Sequence, residues 1–204
     1  SDLNRTKVTS ENISPNVKHA LIATEDENFE HHNGVVPKAF FRAILGESTG
    51  GANSGGSTIT QQLIKQQILG AAPTFKRKAT EMVYALELEK HLTKDQILTD
   101  YLNVSPFGRN NKGQNIAGVE EAAQGIFGKT SKDLTVPEAA FIAGLPQSPI
   151  VYSPYNANGT LKSKENMQFG LDRQNEVLFN LYRNNYISKK EYDAYKSYDI
   201  STEF

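Results

Sequence analysis

Apolar residues recur at a spacing of three and four along most of this chain, and the strict alternation that marks a half-buried strand is nowhere sustained. Val17, Ala20, Leu21 and Thr24 share one helical face, and Ser14-Pro15 ahead of them is a cap followed by a first-turn proline, which predicts a helix with Glu25 in its last turn. Residues 37–45 set Phe40, Phe41, Ile44 and Leu45 on one side and stop at Gly46. Ser57 or Thr58 caps a helix to about Leu69, with Gly70 as its stop. Pro73 and Thr74 precede a long helix over about 75–91, whose buried stripe is expected to be Ala79, Met82, Val83 and Leu86. Capping boxes at Thr93/Gln96 and Thr135/Glu138 open helices that end near Leu102 and Gly144, and Val119, Ala122, Ala123 and Ile126 give another within 118–127. A surface run punctuated by Pro146, Pro149 and Pro154 leads to a last long helix around 166–185 and a tail capped by Ser188 and Glu191. With no strand ladder and no internal repeat, the expected fold is an irregular all-α domain.

One stretch breaks the rhythm. Residues 47–56 are, apart from Glu47 and Ala52, all Ser, Thr, Asn and Gly, too permissive to hold one shape alone. Together with the aromatic face of 37–45, flanked by Lys38 and Arg42 as in an interfacial helix, they predict a mobile, membrane-facing segment over about 35–56.

Composition narrows the class. A length of 204 residues suits one domain, or one with a small appended lobe. The net charge of -1 leaves no bulk attraction for nucleic acid, so any anion must be met by a local cluster of cations. The absence of cysteine excludes disulfides, thiolate nucleophiles and thiolate-bound metals. The longest apolar run, 139–145, is too short to cross a bilayer, and any membrane anchor is expected to lie outside this chain.

Three constellations carry chemistry. The first is the run from Glu25 and Asp26 through Phe29 and His32 to Gly34: paired carboxylates at the negative end of an apolar helix, where a carboxylate holds a proton more tightly and can act as a base. Alone, the run also reads as a solvated acidic helix end. The second is a glycine loop that feeds a helix start through Ser57, Thr58, Gln61, Gln62 and Lys65, an arrangement suited to anions. It is no nucleotide P-loop, because Ser57 stands where lysine is required. The third places Arg77, Lys78 and Glu81 on one helical face. His31 and His32 lack a partner histidine at helical spacing, so they read as structural and no metal ligands are assigned.

In order and spacing these motifs resemble the peptidoglycan glycosyltransferases of family 51, the polymerase domain of class A penicillin-binding proteins and of monofunctional transglycosylases. The first motif of that family is matched by Glu25, Asp26, Phe29, His32 and Gly34, and the second by Gly55, Ser57, Thr58, Gln61, Gln62 and Lys65. The third falls on Arg77, Lys78, Glu81 and Ala85, the fourth on Lys94, Ile97, Leu98, Tyr101, Leu102 and Asn103, and Gly118-Val119-Glu120 with Phe127-Gly128-Lys129 resembles the fifth region. Gln66 and Asp100 depart from the residues common in the family.

The resemblance implies a lysozyme-like α domain across 1–204, with a smaller membrane-facing lobe, that polymerises lipid II with inversion on the extracytoplasmic face of the cell membrane. It implies Glu25 as base, Glu81 as organiser of the cations, and Asp26, Ser57, Thr58, Gln61, Gln62, Lys65, Arg77 and Lys78 as substrate-binding residues. No cofactor is required, a divalent cation (Mg or Mn) at the diphosphate being the one candidate. The implied partners are lipid II, the growing lipid-linked glycan, the membrane surface and the inhibitor moenomycin. A lysozyme-like hydrolase would share two carboxylates but needs no Lys/Arg cluster, and a non-catalytic glycan-binding module would leave the motifs to coincidence. A transpeptidase is excluded within these residues, because Ser-x-x-Lys does not occur. The tail past Asn185 resembles the run into the linker of class A proteins, which suggests an excised domain.

Overall fold

The computed structural model describes residues 6–38, 57–69 and 74–204, and all but two short strands of its regular structure is helical. The chain divides into two compact units, Ser1–Thr24 with Leu102–Phe204, and Glu25–Tyr101.

In the first unit α1 (Pro15–Glu25) starts where the cap predicts, the Ser14 hydroxyl accepting the Asn16 N–H at 3.2 Å. A hairpin follows α-helical chain that the apolar pattern did not reveal: β1 (Pro106–Arg109) pairs antiparallel with β2 (Asn115–Ala117), and the register shifts between its ends. Strands this short offer barely one alternation, so their signal lies instead in the turn. There the Asn110 side chain accepts the N–H groups of Lys112 and Gln114 at 2.9 and 3.0 Å.

Next, α5 (Val119–Ala122) widens into a π turn (Ala123–Phe127). The capping box of Thr135 and Glu138 opens α6 (Val136–Gly144), which is buried from Pro137 to Gly144. Short α7 (Pro149–Tyr152) leads to α8 (Lys164–Arg183) and α9 (Lys189–Ser197), the latter again opened by a capping box. The proline run is less superficial than expected, since Pro154 is buried. Ala20, Ala23, Ala140, Ala143, Val177, Leu178, Leu181 and Ile187 form one core cluster, in which small residues on α1 and α6 let the helices approach the larger side chains of α8.

In the second unit α2 (Ile59–Ile64) passes into a π turn (Lys65–Leu69) instead of continuing as one helix. Then α3 spans Phe75–His91, and α4 (Lys94–Val104) starts at the Thr93/Gln96 box. Val35, Ile64 and Ala85 form a core cluster with Met82 and Leu88 against it. The buried face of α3 differs from the expected stripe. Glu81 and Ala85 are buried, Ala79 and Met82 are half-buried, and Val83 and Leu86 are 60% and 39% exposed. The reason is that Glu81 and Glu89 bring cationic or hydroxyl partners inside with them, so the helix turns a polar-bearing face inward. Most of the expected 37–45 helix, and the 47–56 loop, lie outside the described residues.

Ser131 ties distant parts of the first unit together. Its carbonyl accepts the Ser14 N–H at 2.9 Å and its N–H donates to Glu120 Oε1 at 3.0 Å, while its hydroxyl, with one proton to give, stands 2.7 Å from Asn12 O and 2.8 Å from Glu120 Oε1. Burial works against the Glu120 charge, but these bonds and one from Gln124 outweigh it and hold the carboxyl below its ordinary value of 4.5. Stability from a lowered carboxylate is complete above that ordinary value and is lost as pH falls through the folded one. Glu120→Gln should therefore cost about 1 kcal/mol at pH 7, with the deficit shrinking as the pH drops below 4.5, measured by urea unfolding across that range.

Candidate active site

Adjacent carboxylates at the end of α1 meet different fates. Glu25 is the last helical residue and stays half-buried. Asp26 is 7% exposed, and its Oδ2 accepts His32 Nε2–H at 2.7 Å and the Ile59 backbone N–H at 3.0 Å. The Gly34 N–H donates to His32 Nδ1 at 2.9 Å, which fixes the tautomer with its proton on Nε2, aimed at Asp26. His32 is thus structural in the sense expected: it braces a carboxylate.

Gly34 explains the spacing of the run. Its φ is +107°, and a Cβ there would stand 2.7 Å from the Ala85 carbonyl oxygen, so only glycine lets the chain pass flat against α3. Its own carbonyl accepts the Thr58 hydroxyl at 2.6 Å. Thr58 in turn caps α2: its hydroxyl accepts the Gln61 N–H, and the Gln61 side chain accepts the Thr58 N–H at 2.9 Å, completing a capping box. Thr58 and Gln61 are 2% and 0% exposed. The structure therefore places Asp26, Thr58 and Gln61 beneath the surface as a frame, while Ser57 and Gln62 are half-buried above them.

The cations gather on α2 and α3. Lys78 Nζ lies 2.5 Å from Ser57 Oγ and 3.2 Å from Glu81 Oε1, and the Glu81 side chain is only 5% exposed. Lys65 opens the π turn with an exposed side chain, its N–H shared between the carbonyls of Gln61 and Gln62. Arg77 is exposed near the start of α3, where its N–H bonds the Thr74 cap at 3.2 Å. Gln62 Oε1 accepts the Tyr101 hydroxyl at 3.1 Å. The structure thus joins Ser57, Lys78 and Glu81 directly. A hydroxyl and an ammonium held by a buried carboxylate are groups that can meet an anion, and Lys65 and Arg77 lie exposed in the same unit. Sequence reasoning did not single out Glu89 and Thr60: Glu89 Oε2 accepts the Thr60 hydroxyl at 2.8 Å and Lys94 Nζ at 2.7 Å.

A cleft of about 460 Å³ opens in the same unit, lined by the apolar Val35, Val36, Pro37, Met82 and Leu86 and by polar residues that include Asn28 and His31. Among the described residues no group of three or more His, Cys, Asp or Glu is placed to hold a metal ion.

A family model described as Transglycosylase matches residues 1–181. The chain is 41% identical to penicillin-binding protein 1A of Clostridium tetani over 203 residues, covering 97% of this chain and 24% of that protein. It is 36% identical to penicillin-binding protein 2a of Streptococcus pneumoniae over 198 residues, covering 97% and 25%. The crystal structure of penicillin-binding protein 1A from Haemophilus influenzae superposes with a TM-score of 0.55 at 23% identity over 97% of this chain and 18% of that one, a likeness of fold. The chain thus spans about a quarter of the length of these curated relatives.

The frame makes a prediction. Asp26→Ala leaves the His32 Nε2–H and Ile59 N–H without their acceptor in a buried site and should cost roughly 3 kcal/mol of folding stability. Glu30→Ala, at an exposed position of the same run, should stay within about 0.5 kcal/mol. Chemical denaturation at neutral pH reads both.

Proposed function

Because this chain belongs to the transglycosylase family, we propose that it is the glycan-polymerising module of a cell-wall synthase, polymerising lipid II into glycan strands by inverting transfer with a lipid diphosphate as leaving group. The observation that carries the reading is the Lys78 ammonium set between the Ser57 hydroxyl at 2.5 Å and the buried Glu81 carboxylate at 3.2 Å. A lipid-linked diphosphate leaves as an anion, so its departure needs cations and hydroxyl donors more than a proton. Lys78, Ser57, Lys65 and Arg77 supply them. Glu25 then takes the proton of the acceptor hydroxyl as that oxygen attacks the sugar carbon, and the electron pair of the breaking C–O bond passes to the diphosphate. Glu81 holds Lys78 in place, while Asp26, Thr58 and Gln61 fix the frame and Gln62 lines the acceptor side. A hydrolase would have no need of this anion receptor.

The donor set beside Glu81 does not fit a divalent ion: it is one carboxylate already paired with an ammonium. No step is routed through a metal.

The outward face of α3 supports contact with a membrane surface or lipid chain. Phe75, Val83, Tyr84 and Leu86 are 68%, 60%, 44% and 39% exposed, and the apolar wall of the 460 Å³ cleft adjoins them through Met82 and Leu86. Among the described residues no helix is long and apolar enough to cross a membrane. The face supports a membrane surface as the setting, which on the polymerase reading is the extracytoplasmic one.

Purified lipid II tests the assignment. Glu25→Gln should abolish polymer on gels while leaving moenomycin binding intact, whereas Glu81→Gln should lower both turnover and donor affinity. Arg77→Ala should weaken moenomycin by about 2 kcal/mol, roughly 30-fold in Kd. Substantial polymerisation by Glu25→Gln, with none from Glu81→Gln, would reverse the two roles.

A further inference from the structure

Asp26 is one station on a closed ring of polar contacts that the proposed chemistry does not use. His32 Nε2 meets Asp26 Oδ2 at 2.7 Å. Lys94 Nζ donates to the His32 carbonyl at 2.7 Å, lies 3.5 Å from His32 Nδ1, and sits 4.6 Å from the centre of the Phe29 ring. Its third partner is Glu89 Oε2 at 2.7 Å, which also accepts the Thr60 hydroxyl at 2.8 Å. Thr60 follows Ile59, whose N–H returns to Asp26 at 3.0 Å. The side chains of Asp26, His32, Lys94 and Glu89 are 5%, 7%, 20% and 9% exposed, so both charged links are largely withdrawn from water.

Such a ring is costly to desolvate, and apolar side chains of the same volume would commonly stabilise the unit as well or better. What the polar version supplies is direction. It starts one residue after Glu25 and closes on the first turn of α2, the helix whose next turn carries Gln62 and whose end carries Lys65. Every link has a defined donor and acceptor geometry, so the ring fixes where the end of α1 lies relative to α2.

We propose that Lys94 and Glu89 are positioning residues for the transfer reaction, holding Glu25 in register with α2 through Asp26, His32 and Thr60. The proposal rests on the polymerase reading above. Neither residue touches substrate. Lys78, which meets the anion, has its own partners in Ser57 and Glu81, so loss of the ring should displace the base more than the anion receptor.

The experiment measures initial rates with purified lipid II, and thermal unfolding, for the wild type and four variants, all assayed well below the unfolding temperatures. Lys94→Met should lower kcat about 30- to 100-fold, the scale expected when a reacting group is misplaced by about an ångström, with KM within about threefold. Lys94→Arg, which keeps the charge and can still reach Glu89, should recover at least a tenth of wild-type kcat. Lys94→Met combined with Glu89→Leu removes both charges; it should regain the unfolding temperature lost by Lys94→Met but not its kcat. Lys90→Met, which breaks an exposed pair with Glu87 on the same helix, should match the wild type. Recovery of kcat in the doubly apolar variant, wild-type kcat in Lys94→Met, or a KM rise that accounts for the whole loss would each overturn the proposal. Where Lys94→Met does not fold, Glu89→Gln, which retains an acceptor for Thr60, takes its place with the same expected split. A wild-type protein that makes no glycan would instead count against the polymerase reading itself.

Discussion

A carboxylate that cannot reach water must be given its hydrogen bonds by the protein, and Asp26 is that carboxylate here. Its two donors both lie downstream at very different separations, His32 six residues on and the Ile59 N–H 33 residues on, at the start of α2. Accepting both forces the run after α1 to fold back against α2, and His32 can present Nε2 only because its other nitrogen is held by the Gly34 N–H. Gly34 then passes α3 at a distance no side chain would allow. The spacing of the whole motif, with an aromatic, a histidine and a glycine following the acidic pair, follows from one buried charge that needs partners.

The same rule governs α3. A helix in a small unit ordinarily buries its most apolar stripe, since each buried large side chain contributes roughly 1.5–3 kcal/mol. Here the inward face carries Glu81 and Glu89, each with a cation beside it, and Val83 and Leu86 are left outside. Burial of apolar surface has been forgone along this helix to place two carboxylates. Local departures of this kind from the pattern that best stabilises a fold concentrate where a site has to be built.

That departure also marks the limit of what the chain disclosed in advance. Helix starts were legible because a cap is a local device: Thr58 with Gln61, Thr93 with Gln96, Thr135 with Glu138 and Ser188 with Glu191 are each complete within four residues. The inward face of α3 was not, because Glu89 is drawn inside by Thr60, 29 residues upstream, as well as by Lys94 on the next helix. The pairing of Glu25 with Asp26 was visible, and with it the place of the candidate site. Which of the two is buried was not, since that is settled by Ile59, 33 residues downstream. The hairpin at 106–117 escaped for a simpler reason: strands of four and three residues carry too few positions for a period to show.

Two lysines illustrate how one residue type is divided between frame and chemistry. An ammonium has three protons to donate. Lys94 is surrounded by the Glu89 carboxylate, the His32 carbonyl and imidazole, and the face of Phe29, so it is saturated and can serve only to hold these groups together. Among the described residues Lys78 meets Ser57 and Glu81, the latter at a looser 3.2 Å. Because the Ser57 oxygen accepts from Lys78, the hydroxyl proton is directed away from the ammonium. At 3.2 Å the Glu81 carboxylate holds Lys78 less tightly than Glu89 holds Lys94 at 2.7 Å. Exchanging the environments of the two lysines would leave the frame without its centre, although the composition and net charge of the chain would be unchanged.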